Sequence, residues 1–155
     1  MPIELLVNGT AARVSAADTT PLLDVLRNEL DLKGTRYGCG LEQCGSCMVL
    51  LDGKPEYACA REIGTIAGRS VTTIEGLGGN HPLQRAFLDE QAGQCGYCLS
   101  GILMSAKALL DTNPSPSRAE IVAALDVHLC RCGALPRILR AVEKAALLMR
   151  EGDRS

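Results

Sequence analysis

Tryptophan is absent from the 155 residues, phenylalanine occurs once and tyrosine three times. So little aromatic surface leaves almost nothing on which nucleobases could stack. No sign of charge dominates either: 16 Lys and Arg against 18 Asp and Glu give a formal net charge of -2. With no basic stripe along the chain, a nucleic-acid partner is not expected. No apolar run reaches the roughly 18 residues of a membrane span, so no direct membrane insertion is expected. The start, "MPIELLVNG", lacks the basic and then apolar segments of a secretory signal. The expectation is a cytoplasmic protein whose thiols stay reduced.

Cysteine is what the sequence has in plenty: eight residues. In a reducing compartment that number points to metal rather than to disulfides. Apolar residues make up 46% of the chain, enough for a core, and only the polar tail "REGDRS" reads as disordered. The length suits one ordinary domain, or two small ones with thin cores that need extra fixing.

The first half reads as a small mixed sheet with one helix across it. "IELLV", Asn8-Gly9 and "TAARVS" form a hairpin. Thr20-Pro21 reads as a helix start with Thr20 as cap, followed by Leu22, Leu23, Leu26 and Leu30 at helical spacing. "MVLLDG" and "KPEYACA" form a second hairpin about Asp52-Gly53, and "SVTTIEG" is another short strand. At "GLGGNHP" the chain reads as a linker, and only helices follow. They are expected over 82–92, over 98–110, after the Ser117/Glu120 capping box, and from Pro136 onward. Their apolar faces are Leu99, Ile102, Leu103, Ala106 and Leu110; Ile121, Val122 and Leu125; and Ile138, Leu139, Val142, Ala145 and Met149. Four short helices suggest a small bundle.

The chemistry lies in the cysteines. Cys39, Cys44 and Cys47 in "CGLEQCGSC", with Cys59 beyond, follow the C-x4-C-x2-C…C spacing of a plant-type [2Fe–2S] site. Four thiolates must converge on two irons while backbone N–H groups face the sulfurs. Gly38, Gly40 and Gly45 permit that close approach. Zinc prefers paired C-x2-C knuckles, and this half has one such pair. The second set, Cys95, Cys98, Cys130 and Cys132, combines C-x2-C with C-x-C. Spacing alone allows either a second [2Fe–2S] cluster or zinc there. "GLGGN" is an incomplete dinucleotide fingerprint, better read as linker. His81 and His128 read as capping or surface histidines. Arg131, Arg137 and Arg140 form a basic cluster near Cys132, either a solvated face or a partner to negative charge. No Ser/His/Asp or paired-carboxylate arrangement stands out, so no catalytic residue is expected on this chain.

"YGCGLEQCGSC", "QCGYC", "LCRCG", "RILRAV" and the junction "VTTIEGLG…HPLQRAF" together resemble the iron–sulfur subunit of the xanthine oxidase family of molybdenum hydroxylases. The likeness runs over roughly residues 3–148. Within the family the sequence is most similar to small subunits of bacterial N-heterocycle hydroxylases such as nicotinate dehydrogenase and isoquinoline 1-oxidoreductase. The resemblance implies an α+β chain: a β-grasp, ferredoxin-like domain over 1–76, then a four-helix domain over 77–155. It implies two [2Fe–2S] clusters, the one on Cys95, Cys98, Cys130 and Cys132 nearer the molybdenum and the one on Cys39, Cys44, Cys47 and Cys59 outside it. It implies that Gln94 and Cys132 meet a molybdopterin, in its cytosine dinucleotide form, held by a large partner subunit. Electrons would leave toward a cytochrome, a flavin subunit or a diffusible carrier. Glu42 and Ser46 stand where many members have glycine and alanine. Ser46 is expected to donate a hydrogen bond toward a cluster sulfur.

Overall fold

The computed structural model describes residues 1–153. Five strands form one mixed sheet in the order β2-β1-β5-β3-β4. They are β1 (Ile3–Val7), β2 (Thr10–Val14), β3 (Met48–Leu51), β4 (Lys54–Tyr57) and β5 (Ser70–Thr72). β1 runs parallel to β5; the other neighbours are antiparallel. Both hairpins turn where expected. Asn8 and Gly9, like Asp52 and Gly53, take positive φ at both central positions, the twist that tight hairpins need.

Helix α1 (Leu22–Asn28) lies across the sheet and buries Leu22, Leu23, Val25 and Leu26 against Leu5, Val7, Val49, Leu51 and Val71. Its start differs from the sequence expectation. Pro21, extended at ψ 139°, occupies the cap position and pairs with Glu62; no side chain caps the helix. The Leu22 N–H is satisfied by the Arg61 carbonyl instead, at 2.7 Å.

All four residues of β3 are buried, although a strand with one wet face would alternate. Val49 and Leu51 face the α1 core, while Met48 and Leu50 pack on Leu77, Met104 and Ala108. The second layer is therefore α3 (Leu99–Thr112), seated on the far side of the sheet. Around it stand α2 (Pro82–Asp89), α4 (Arg118–Leu125) and α5 (Leu135–Gly152), closing a core of Leu83, Phe87, Ile102, Ile121, Ile138 and Val142. A helix held between sheet and bundle is buried all round, which is why Gly101, Met104, Ser105 and Ala108 of α3 are buried as well as its apolar face.

Several expectations shift in detail. α2 stops at Asp89, three residues before 92. His81 caps it: Nδ1 accepts from the Leu83 N–H at 3.1 Å, and Gln84 closes the box. The Ser117/Glu120 box forms at the start of α4, but Val122 is exposed rather than inward. His128 is not a surface histidine: it is buried between α3 and the first cysteine loop. The tail expected to be disordered is helical as far as Gly152, and residues 154–155 lie outside the described residues. The stretch just before the junction read as a linker is pinned, and Leu77 within that junction is buried. Asn8 makes paired hydrogen bonds with buried Thr73, and Glu75 accepts from the Gly34 N–H at 2.7 Å. No helix among the described residues is long and apolar enough to cross a membrane.

Candidate metal centres

All eight cysteines are free thiols. They gather into two groups, and the thiols of each fall into two neighbouring pairs. In the first set Cys39 pairs with Cys44, and Cys47 with Cys59. In the second Cys95 pairs with Cys132, and Cys98 with Cys130. No three His, Cys, Asp or Glu side chains among the described residues close on one ion position. Two pairs of thiols suit two irons that each take two thiolates.

The loop before β3 supplies Cys39, Cys44 and Cys47 of the first set, and Cys59 follows β4. Its backbone N–H groups point at sulfur: Leu41 and Gln43 donate to Cys39 Sγ at 3.3 and 3.2 Å, and Cys39 donates to Cys44 Sγ at 3.4 Å. The Leu41 N–H, with that of Gln43, holds the Cys39 thiol down at about 7. A β-carbon on Gly38 would stand 2.6 Å from Cys44 Sγ, so only glycine leaves that sulfur its place. Ser46 is buried with its hydroxyl facing the same glycine, 3.4 Å from where that β-carbon would lie. Gly45 has φ +74°, and any side chain on it would overlap the His128 ring.

The second set sits at the amino end of α3 and in the turn between α4 and α5. Tyr97 N–H donates to Cys95 Sγ at 3.5 Å and lowers that thiol. Burial raises Cys130, but the N–H groups of Ala134, Cys132 and Gly133 outweigh it and bring the thiol below its ordinary value. Burial pushes Cys47 and Cys98 up to about 12. Buried thiols of this kind stay protonated unless a cation compensates the thiolate. All-sulfur donors, N–H groups aimed at them and buried thiols needing a cation together fit an iron–sulfur cluster in each cradle.

The two cradles touch. Leu129, just before Cys130, donates its N–H to the Cys44 carbonyl at 3.0 Å. Gly101 of α3 lies so close to the Gly45 carbonyl that a β-carbon on it would collide with that oxygen. His128 Nε2 shares a 2.7 Å hydrogen bond with Ser105 Oγ, and its buried Nδ1, which lies against Gly45, has no aligned hydrogen-bond partner among the described residues. Burial lowers this imidazole to about 4, the Gly45 backbone pulling the other way.

Gln94 is exposed and lines a cleft of about 500 Å³ with Gln84, Phe87, Leu88, Gln91 and Leu99. Of the three arginines expected to cluster, Arg140 pairs with Glu90 at 3.4 Å, while Arg131 and Arg137 have no ion pair among the described residues. Three participants escaped the sequence reading: Arg36, Tyr97 and the buried role of His128. The first two stand beside ligand-type cysteines, but nothing in their spacing marks them. His128 follows a helix end, and only the approach of α3 to the first cysteine loop buries it.

A family described as "2Fe-2S iron-sulfur cluster binding domain" matches residues 5–67, and one described as "[2Fe-2S] binding domain" matches residues 73–143. The chain is 53% identical to a nicotinate dehydrogenase subunit of Pseudomonas putida over 147 residues, covering 93% of this chain and 94% of that one. It is 49% identical to the alpha subunit of isoquinoline 1-oxidoreductase from Brevundimonas diminuta, covering 93% and 97%. Among solved structures, quinoline 2-oxidoreductase of Pseudomonas putida 86 superposes with a TM-score of 0.92 at 35% identity, over 98% of this chain and 97% of the matched one. An aldehyde oxidoreductase from Desulfovibrio desulfuricans superposes at 0.93 with 42% identity, but the match takes in 97% of this chain and only 17% of that longer one. The protein belongs to the iron–sulfur subunits of the molybdenum hydroxylases of the xanthine oxidase family, oxidoreductases whose active site lies on another subunit.

Proposed function

We propose that Cys39, Cys44, Cys47 and Cys59 hold one [2Fe–2S] cluster and that Cys95, Cys98, Cys130 and Cys132 hold a second. The first set belongs to a ferredoxin-like unit over 1–76, the second to a helical unit over 77–155. When bound, the clusters supply one-electron carriers to an external acceptor from a molybdopterin site on a large partner subunit. The chain's own residues hold the carriers in order. Backbone N–H groups stabilise the sulfurs, and the Leu129–Cys44 contact fixes one cradle against the other. Gln94, exposed beside its cleft, and Cys132 are the residues proposed to meet the pterin, in a cytosine dinucleotide form. The observation that carries this reading is the aim of backbone N–H groups at cysteine sulfur in both sets, Leu41 and Gln43 on Cys39 and Tyr97 on Cys95.

Relatives named for nicotinate, isoquinoline and quinoline favour an N-heterocyclic aromatic such as nicotinate as substrate. An aldehyde or purine is the second reading, since relatives named aldehyde oxidoreductase and xanthine dehydrogenase also match. The acceptor is proposed to be a cytochrome, a flavin subunit or a diffusible carrier, and the assembly to work in the cytoplasm. The test is anaerobic addition of nicotinate, an aliphatic aldehyde or hypoxanthine to the complex purified with its large subunit. Nicotinate is expected to bleach the visible absorption of both clusters. Bleaching by aldehyde or purine alone contradicts the heterocycle assignment. A chain that purifies without any molybdenum-containing partner contradicts the whole.

A further inference from the structure

Arg36 belongs to the first cysteine loop, three residues before Cys39, yet its side chain reaches into the second. Its Nη1 donates to the Gly96 carbonyl at 2.6 Å, inside the Cys95–Cys98 turn. Its guanidinium carbon stands 5.2 Å from the centre of the Tyr97 ring. Tyr97 returns the contact: its hydroxyl donates to the Tyr37 carbonyl, and its N–H donates to Cys95 Sγ. The Arg36 N–H is anchored on the Ser46 carbonyl at 3.4 Å. Arg36 and Tyr97 thus form a two-way clasp between the loops. No carboxylate among the described residues pairs with Arg36, so its charge is not neutralised locally.

We infer that Arg36 is a positioning residue for the second thiol set, bracing the Gly96–Tyr97 turn and placing a fixed positive charge that raises the reduction potential of the cluster held there. The inference rests on the reading that Cys95, Cys98, Cys130 and Cys132 hold a [2Fe–2S] cluster. Taking up one electron, with no proton, changes such a centre from about -2 to about -3. A cation at short range stabilises the more negative state, and a guanidinium stays charged at every working pH. The clasp therefore lets a residue of the ferredoxin-like unit set the affinity of the other unit's centre for its electron.

The test is a dithionite potentiometric titration followed by EPR, on the complex with its large subunit, of wild type, R36Q and R36K. A Cys95→Ser variant identifies the signal that belongs to the second set. R36Q is expected to lower that midpoint by about 59 mV, a tenfold change in the oxidised-to-reduced ratio for one electron, and to leave the other midpoint in place. R36K keeps the charge without the planar fork and is expected to recover more than half of the shift. R36M, neutral and of similar reach, is read in the same way should R36Q not load its clusters. Equal movement of both midpoints, or of neither, overturns the inference. Wild type lacking two distinct EPR signals instead overturns the underlying cluster assignment, so the two failures are separable.

Discussion

The Leu129 N–H donates to the Cys44 carbonyl over 3.0 Å, joining the approach to one cysteine set directly to the loop of the other. Beside it the Gly101 backbone lies against the Gly45 carbonyl, with no room for a β-carbon between α3 and the loop. The first cysteine loop and the helical layer therefore meet through backbone beside the cysteines.

Gly101→Ala tests that contact. The added methyl has backbone, not a movable side chain, in its way. Overpacking of this kind costs about 1–3 kcal/mol. Chemical denaturation of the holoprotein should show a loss in that range, with weaker iron retention in the Cys39 loop. A variant as stable as wild type contradicts the close approach.

His128 gives a pH dependence whose sign follows from burial. Its folded value, about 4, lies below the ordinary imidazole value of 6.5. Between those values the unfolded chain takes up a proton that the folded chain refuses. Stability is fully present above about pH 6.5 and is lost as the pH falls toward 4, by a few kcal/mol at most. His128→Gln, unable to titrate, should flatten the stability curve in that window. An unchanged slope contradicts a buried neutral imidazole.

Gln94→Ala addresses the proposed pterin contact. Losing one hydrogen bond at the donor side should slow substrate-driven cluster reduction by about tenfold. Dithionite-reduced EPR spectra should stay as in wild type. Stopped-flow bleaching reads the rate, and an unaltered rate removes Gln94 from the path.

Ser117→Ala serves as a structural contrast. The Ser117 hydroxyl accepts from the Glu120 N–H at 3.2 Å, and the Glu120 carboxylate accepts from the Ser117 N–H in return. Loss of this cap should cost about 1 kcal/mol of thermal stability. Iron content should not change; a variant that loses iron would tie α4 to the cluster cradle more closely than the geometry does.

The hairpins and the four helices were legible because each rests on local chemistry. Asn8-Gly9 and Asp52-Gly53 mark turns that need positive φ, and Ser117 with Glu120 marks a helix start. Thr20 misled because the extended backbone at Pro21 engages the 61–63 segment, a contact about 40 residues away in sequence that no local pattern encodes. His128 and Arg36 escaped for the same reason: one is buried between α3 and the first cysteine loop, and the other crosses between loops 60 residues apart. The apolar run of β3 did carry the missing fact, since a strand wet on neither face requires a second layer.

The central claim is that the chain carries two separate two-iron centres on two thiol sets. Iron and acid-labile sulfide analysis with low-temperature EPR of the dithionite-reduced holoprotein, beside Cys47→Ser, tests it most directly. Two such centres require about four irons per chain and two distinct signals in wild type, and about two irons with one signal retained in the variant. Stoichiometric zinc without colour, or both signals lost together in Cys47→Ser, would contradict it.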